Sequence, residues 1–288
     1  MGKNLPVFAA RYSMEQTPHN PEGQPLTLEQ ALINISQTTD PGLRYYAAWW
    51  LGKMRIRQPQ AIDALLEALA DADDRSPDGG FPLRRNAARA LGKVGQGDPR
   101  VEAALIDCLS CQDYYVRETA AQALESVGTA TAVAPLAALL TGGVEAAVAV
   151  PGKPHLVQPY NAVLEALGNL GSANLAPMIE PFLGHGTPQV QNAAARAMYQ
   201  LTGGAQYAEK LVNVLQHEQL QLRRAALMDL GAVGYLPAAD AIANTLAENS
   251  MKLMALRGLL EQSIETSPDA DLVTDDSRRV MALMDSLL

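Results

Sequence analysis

The chain has 288 residues, of which 48% are hydrophobic, 18% charged and only 5% aromatic. Its formal net charge of −9 comes from 22 basic and 31 acidic residues, and no dense run of lysine and arginine occurs. This balance argues against binding to nucleic acid, because proteins neutralise its phosphates with a stripe of basic residues. It argues against binding to an anionic membrane surface for the same reason. Plentiful alanine and leucine favour helices, because strands prefer β-branched and aromatic residues.

Targeting signals are not apparent in the sequence. The first 26 residues contain no apolar run long enough for a signal peptide, and the apolar run at 132–140 is short and contains a proline. Cys108 and Cys111 are too few to staple a chain of this size, and they suit a reducing compartment. We therefore predict no membrane span and a cytoplasmic location.

After an N-terminal extension at residues 1–25, an alanine-rich motif recurs along the chain. Its copies begin at Leu43, Leu83, Val116, Tyr160, Val190 and Leu222, and a degenerate seventh begins at Met251. The interval is 33 residues from 83 to 116 and 32 residues from 190 to 222. Apolar residues within each copy recur at helical spacing, and a glycine closes several copies. Each copy is therefore predicted to be a helix.

A second amphipathic segment precedes each copy. These segments cover residues 28–36, 59–70, 99–110, 131–140, 174–183, 206–215 and 236–247, and a final helix is predicted at 277–288. One such hairpin cannot bury its own apolar faces, so neighbouring hairpins must stack. We predict an all-α, HEAT-repeat-like α-solenoid (an α-α superhelix) of about seven hairpins. It forms one domain over 26–288, with inserts at 71–81 and 142–159.

The usual sequence signatures of enzymes are missing. No glycine-rich phosphate loop occurs, and the four histidines lack metal-ligand spacing. Cys108 and Cys111 form a C-x-x-C, a spacing found in redox sites and in half of a zinc site. Since neither a second ligand pair nor a βαβ context accompanies them, we predict free structural thiols, no metal site and no permanently bound cofactor.

The run Tyr-Tyr-Ala-Ala-Trp-Trp at 45–50 holds both tryptophans of the chain. Spacing of four residues on a helix pairs Tyr45 with Trp49 and Tyr46 with Trp50. Alignment of the repeats places Tyr45 and Trp49 at polar positions, on the concave face. Trp50 corresponds to Ala90 and Ala123, so we predict that it is buried between layers.

Polar residues extend the same predicted face along the next two repeats: Arg85, Arg89, Glu118 and Gln122. An aromatic platform beside arginines suits a flat conjugated ligand with carboxylates, because indole stacks and arginine pairs bidentately. The same surface suits a loop of a partner protein, and the aromatic cluster could also be a cap for the first repeat. The arginine at the second place of several repeats more often serves packing than ligand binding.

The segment GLRYYAAWWLGKMR at 42–55 follows a hairpin that starts at LTLEQAL, 26–32, and precedes an Asp-, Gly- and Pro-rich insert and LRRNAARALG at 83–92. This order resembles the E-type subunits of the E/F-type phycocyanobilin lyases, a family of HEAT-repeat proteins from cyanobacteria and red-lineage plastids. The resemblance runs through most of the chain, and the YYAAWWLG stretch is its specific part.

The resemblance implies a heterodimer with an F-type lyase subunit. Such a pair binds phycocyanobilin and promotes its thioether attachment to a cysteine of the phycocyanin α subunit, and it can also detach or transfer the bilin. The nucleophile then belongs to the substrate protein, and the lyase holds and orients the bilin. Glu118, or a residue of the partner, is the candidate general acid. The location implied is the cyanobacterial cytosol or the plastid stroma.

Two other functions stay open from the sequence. One is a related lyase subunit that serves phycoerythrocyanin, with isomerisation, or phycoerythrin. The other is a non-enzymatic HEAT scaffold that binds a protein through its concave face. Bilin colour on the purified protein would separate a lyase subunit from such a scaffold.

Overall fold

A computed structural model describes residues 26–266 and 274–288, except for the side chains of 265 and 266. The predicted N-terminal extension, 1–25, lies outside these ranges. The described residues form fifteen α-helices: α1 (Leu28–Ser36), α2 (Pro41–Lys53), α3 (Pro59–Ala70), α4 (Pro82–Val94), α5 (Pro99–Cys108), α6 (Tyr114–Val127), α7 (Ala130–Ala138), α8 (Tyr160–Leu170), α9 (Ala176–Ile179), α10 (Pro188–Thr202), α11 (Ala205–Val214), α12 (Leu220–Val233), α13 (Ala239–Asn244), α14 (Asn249–Thr266) and α15 (Asp275–Asp285). The all-α HEAT-like solenoid is confirmed.

The described ranges contain no β-strand, only an isolated antiparallel bridge between Ala149 and Leu156. In the same ranges, no helix combines the length and the apolar character that crossing a membrane requires. The chain divides into two compact units, one that ends at Pro135 and one that begins at Leu136. The predicted single domain over 26–288 stays a prediction, and the two units are described in turn.

Helix starts in the first unit follow from capping residues. Thr27, Asp40, Asp98 and Asp113 each accept a backbone N–H of the first helical turn. Four helices, α2 to α5, have proline in the first turn, where its missing N–H costs nothing, and α3 and α4 begin with proline without a side-chain cap. These signals explain why α1 and α3 begin at the predicted residues.

The second helices of the hairpins, α2, α4 and α6, pack side by side in the first unit. Their axes approach closely because glycine meets alanine at the contact. A Cβ added at Gly92 of α4 would lie 2.9 Å from Cα of Ala123 in α6. Ala87, Ala88 and Leu91 complete the buried face of α4. Small residues therefore set the spacing between neighbouring layers.

In the second unit α8, α10, α12 and α14 pack in sequence, but two of the first helices are broken. The segment predicted as one helix at 174–183 is a 3-10 turn, then α9, then a second 3-10 turn, Glu180–Gly184. Pro177 and Pro181 remove backbone donors within it, which explains the break. The helix predicted at 236–247 is likewise a 3-10 turn, Leu236–Ala238, followed by α13.

The insert at 142–159 is tied to the helices that follow it. The Tyr160 hydroxyl donates to the carbonyl of Ala146 at 3.1 Å, and the Tyr160 ring packs against Phe182. His185 is buried, and its Nδ1 accepts the backbone N–H of Thr187 at 3.0 Å. Its Nε2 therefore carries the hydrogen and donates to Ala147 O at 2.7 Å. This arrangement fixes one neutral tautomer.

The arginine at the second place of the repeat links the two helices of its hairpin by hydrogen bonds. Arg44 Nε donates to Ile35 O at 3.1 Å, Arg117 Nη1 to Cys111 O at 2.7 Å, and Arg223 Nη1 to His217 O at 2.6 Å. Each of these carbonyls lies at or just after the end of a first helix, where orphan carbonyls need donors. These arginines therefore have the packing role that the sequence suggested.

Both cysteines are free thiols. Cys108 is only 2% exposed, at the end of α5, and Arg84 Nη2 lies 3.8 Å from its Sγ. Burial raises the pKa of the Cys108 thiol, although the Arg84 guanidinium works in the opposite direction. No group of three or more His, Cys, Asp or Glu side chains within 26–266 and 274–288 could hold a metal ion.

Candidate functional site

The exposed face of α2 carries a stacked aromatic pair. Trp49 is 44% exposed, as the repeat alignment predicted, and Tyr46 is equally exposed. Their ring centroids lie 5.5 Å apart with an interplanar angle of 29°. The stack joins residues three apart, whereas the sequence suggested Tyr45 with Trp49 and Tyr46 with Trp50. Two large π-faces are thus presented to solvent on one helix.

The prediction that Trp50 is buried is wrong, because its side chain is only half-buried. Its equivalents Ala90 and Ala123 are buried because each meets the glycine of the preceding second helix, Gly52 and Gly92 respectively. Within the described residues, α2 belongs to the first hairpin. No second helix of an earlier hairpin therefore precedes it to cover Trp50. The same position in the repeat therefore has a different environment in the first copy.

Tyr45 is half-buried rather than open, and its hydroxyl is occupied. It donates to Asp74 Oδ1 at 2.8 Å, which joins α2 to the 71–81 insert. Burial, together with the hydrogen bond and charge of Asp74, raises the pKa of Tyr45 to about 12, against the opposing effect of Arg44 and Arg85. The phenol consequently keeps its proton at neutral pH.

The 71–81 insert is held against α2 by a second contact. Arg44 Nη2 pairs with Asp71 Oδ2 at 2.7 Å, with both side chains largely shielded from solvent. Asp71 Oδ1 accepts the backbone N–H groups of Asp73 and Asp74, each at 2.9 Å. Burial alone would raise the pKa of Asp71, but these N–H groups and the Arg44 guanidinium lower it. The start of the insert is therefore a turn stabilised by the hydrogen bonds and the ion pair of Asp71.

Aromatic and charged side chains continue from α2 across α4 to α6. The Arg85 guanidinium lies 5.1 Å from the centroid of the Tyr115 ring, and Tyr115 meets Tyr114 edge to face at 5.3 Å. The Tyr114 hydroxyl donates to Glu118, and burial, followed by the charge of Glu118, raises the pKa of Tyr114. Arg85 also lies close enough to Tyr45 to influence its pKa.

The contacts in the structure thus join three of the six predicted residues, Tyr45, Arg85 and Glu118, and add four others. We call the aromatic and charged surface of these three helices, to which the exposed Trp49 of α2 also belongs, the α2–α4–α6 face. Arg89 and Gln122 lie exposed one turn further along α4 and α6, and Arg89 extends the cationic part that Arg85 begins. The residues that sequence reasoning missed as site members are Tyr46, Asp74, Tyr114 and Tyr115. A second Tyr-Tyr doublet, directly before Val116, was the available signal for the last two.

The chemistry of this face is that of stacking and charge pairing. Tyr46 and Trp49 can stack on a flat conjugated molecule, and Arg85 and Arg89 can pair with carboxylates. Glu118 lies half-buried and accepts a hydrogen bond from Tyr114, so a carboxyl group is available beside the aromatic rings. The arrangement favours holding and orienting a ligand.

Comparison with protein families identifies the repeat. The family model described as PBS lyase HEAT-like repeat matches residues 43–71, and that described as HEAT repeats matches residues 75–149. The first match contains the helix with Tyr45, Tyr46 and Trp49. The second match contains α4 and α6.

Individual relatives extend the likeness to almost the whole chain. The phycocyanobilin lyase subunit alpha of Nostoc sp. (strain PCC 7120) is 56% identical over 276 residues, covering 96% of this chain and 99% of the relative. The bilin biosynthesis protein PecE of Mastigocladus laminosus is 43% identical over 243 residues, covering 84% of each. A solved chain from the complex of CpcE and CpcF of phycocyanin lyase from Nostoc sp. PCC7120 is similar, with a TM-score of 0.85, 56% identity, and coverage of 96% of this chain and 100% of that one.

Proposed function

Because this chain belongs to the family of phycocyanobilin lyase alpha subunits, we propose that its α2–α4–α6 face holds the bilin during attachment. The chain is a bilin lyase subunit, an enzyme component that acts together with an F-type partner. The higher identity to phycocyanobilin lyase subunits, 56% against 43% for PecE, favours phycocyanobilin over an isomerising variant of the reaction.

The proposed reaction is addition of a protein thiol to the bilin. The cysteine sulfur of the phycocyanin α subunit bonds to the exocyclic carbon of the ring A ethylidene group, and the thiol hydrogen is delivered to the adjacent ring carbon. No atom is lost, and the reverse reaction detaches the bilin. Bilin and acceptor are both substrates, and we propose no permanently bound cofactor. We place the reaction in the cyanobacterial cytosol or the plastid stroma.

The observation that carries this proposal is the stacked pair of Tyr46 and Trp49, which lies on the same helix as Tyr45 and faces solvent. A flat tetrapyrrole stacked there loses orientational freedom before the thiol arrives, and such positioning accounts for large rate effects. Arg85 and Arg89 would pair with its propionate carboxylates. We propose Glu118 as a proton donor for the addition, or otherwise a group of the F-type partner.

The test is co-expression of the chain with its F-type partner and the enzymes of phycocyanobilin synthesis. We expect the purified pair to carry bilin absorbance and to transfer the bilin to phycocyanin α subunit, as a covalent adduct on denaturing gels. A colourless pair that transfers nothing would refute the function. A transferred chromophore with shortened conjugation, seen as a blue shift, would instead favour the isomerising reaction.

A further inference from the structure

The C-x-x-C formed by Cys108 and Cys111 lies at a turn that suits a disulfide. Cys108 is the last residue of α5, and the N–H of Cys111 donates to Cys108 O at 3.1 Å. Such a four-residue turn brings its first and last Cα within about 7 Å, and a disulfide joins residues whose Cα atoms lie about 4.4–6.8 Å apart. The turn therefore holds the two cysteines at a backbone separation that a disulfide can span.

The two thiols differ in access. Cys108 is 2% exposed, whereas Cys111 is only partly buried. Burial also raises the pKa of the Cys108 thiol. An external reagent therefore reacts first at Cys111, and Cys108 is placed to attack from within the turn. A dithiol exchange site divides its work in this way, because one cysteine enters a mixed disulfide and the other resolves it.

Two arginines bring positive charge to the pair. Arg84 occupies the second place of its repeat, but its Nη2 is directed at Cys108 Sγ in the next hairpin, at 3.8 Å. Arg117 Nη1 donates to Cys111 O at 2.7 Å. Burial lowers the pKa of Arg117, and the charge of the Cys111 thiolate opposes this effect, so the guanidinium lies within electrostatic reach of the sulfur. Positive charge beside a sulfur favours the thiolate, which is the form that attacks a disulfide.

The start of α6 connects this turn to the α2–α4–α6 face. Asp113, two residues after Cys111, accepts the N–H of Tyr115 with Oδ1 at 2.8 Å and so caps α6. Arg117 of α6 in turn holds the carbonyl of Cys111. A bond between the two sulfur atoms draws Cys111 towards α5 and thereby changes the contacts that fix the first turn of α6.

We propose that Cys108 and Cys111 form a reversible disulfide by exchange with a low-molecular-weight disulfide, and that this bond weakens the binding of bilin at the α2–α4–α6 face. The Cys111 thiolate attacks one sulfur of the external disulfide, whose S–S bond breaks and releases one thiol. Cys108 then attacks the Cys111 sulfur and releases the second thiol. The protons of the two cysteines end on the released thiols, and two electrons pass to the external disulfide. The disulfide is independent of the proposed function, and only its effect on bilin rests on that function.

The experiment exposes the complex with the F-type subunit to oxidised glutathione and then alkylates its thiols for mass spectrometry. Because this chain contains two cysteines, we expect two alkyl groups on the reduced chain, and neither an alkyl group nor a glutathione on the oxidised one. Cys108→Ala should instead retain one glutathione on Cys111, whereas Cys111→Ser should keep Cys108 reduced. A wild-type chain that stays reduced, or that carries glutathione on both cysteines, would overturn the inference.

Bilin absorbance of the same samples tests the effect on the face. We expect the oxidised wild type to bind less phycocyanobilin than the reduced wild type, with the loss reversed by dithiothreitol. Cys111→Ser cannot form the disulfide, so it should bind equal amounts with and without the oxidant. Equal binding by the oxidised and reduced wild type would show that the inference about bilin is wrong. A wild-type complex that binds no bilin in either state would count against the proposed function, while the alkylation result stands.

Discussion

Trp49 and Trp50 provide a paired test of the α2–α4–α6 face, because they are neighbours of the same residue type with different surroundings. Trp49→Ala removes a 44% exposed indole that stacks on Tyr46 at 5.5 Å. An aromatic stack of this kind is worth about 0.5–1.5 kcal/mol, so we expect a small loss of stability. Loss of the same interaction with the bilin, on the order of 1 kcal/mol, corresponds to binding weaker by about fivefold.

Trp50→Ala is the matched control. Truncation of a buried aromatic costs about 3–5 kcal/mol, and half-burial reduces this to roughly 1.5–2.5 kcal/mol. We therefore expect Trp50→Ala to lower the thermal midpoint more than Trp49→Ala does, with bilin affinity near that of the wild type. Absorbance titration with phycocyanobilin and thermal unfolding of both variants, each with the F-type partner, make the comparison. Wild-type bilin affinity in Trp49→Ala, or an early melt of that variant alone, would show that the pair is a cap and not a ligand platform.

Three further predictions concern packing, pH and assembly. Gly92→Ala should destabilise the chain by about 1–3 kcal/mol, because the new Cβ would lie 2.9 Å from Cα of Ala123; Gly184→Ala, where nothing lies within 4 Å, should be near neutral in the same denaturant titration. Arg44→Met should cost about 1–3 kcal/mol at neutral pH by removing a partner of Asp71. The folded pKa of Asp71 lies below its ordinary 3.8, so the contribution of the ion pair is complete above that value and is lost as pH falls through the folded pKa. The difference in stability between the two proteins should therefore narrow in acid to the part that comes from the lost hydrogen bond to Ile35 O. Purified chain and F-type subunit should sediment as one complex, and two independently migrating species would contradict the heterodimer.

Local signals in the sequence were sufficient for much of the fold. Proline and capping residues mark where α1 and α3 begin, and both helices have the predicted bounds. The same approach failed at 174–183, where apolar periodicity predicted one helix and two prolines divide it. Periodicity reports which side of a segment is apolar, whereas the break depends on backbone donors that the pattern does not count.

The site was predictable only where the repeat itself carries the information. Alignment placed Trp49 on the exposed face because Arg89 and Gln122 occupy its position in other copies. It failed for Trp50, since an equivalent position loses its neighbour in the first layer of a stack. Asp74 could not be found from sequence, because the insert belongs to no repeat and its register against Tyr45 is a tertiary contact.

The burial of Cys108 has a consequence for an enzyme that carries an electrophile. The bilin forms its bond with a thiolate, and any accessible thiolate of the lyase itself would compete with the acceptor cysteine. With 2% exposure and a raised pKa, Cys108 stays protonated and out of contact with the chromophore. The same packing that closes the α5 hairpin therefore protects the enzyme from alkylating itself at this position.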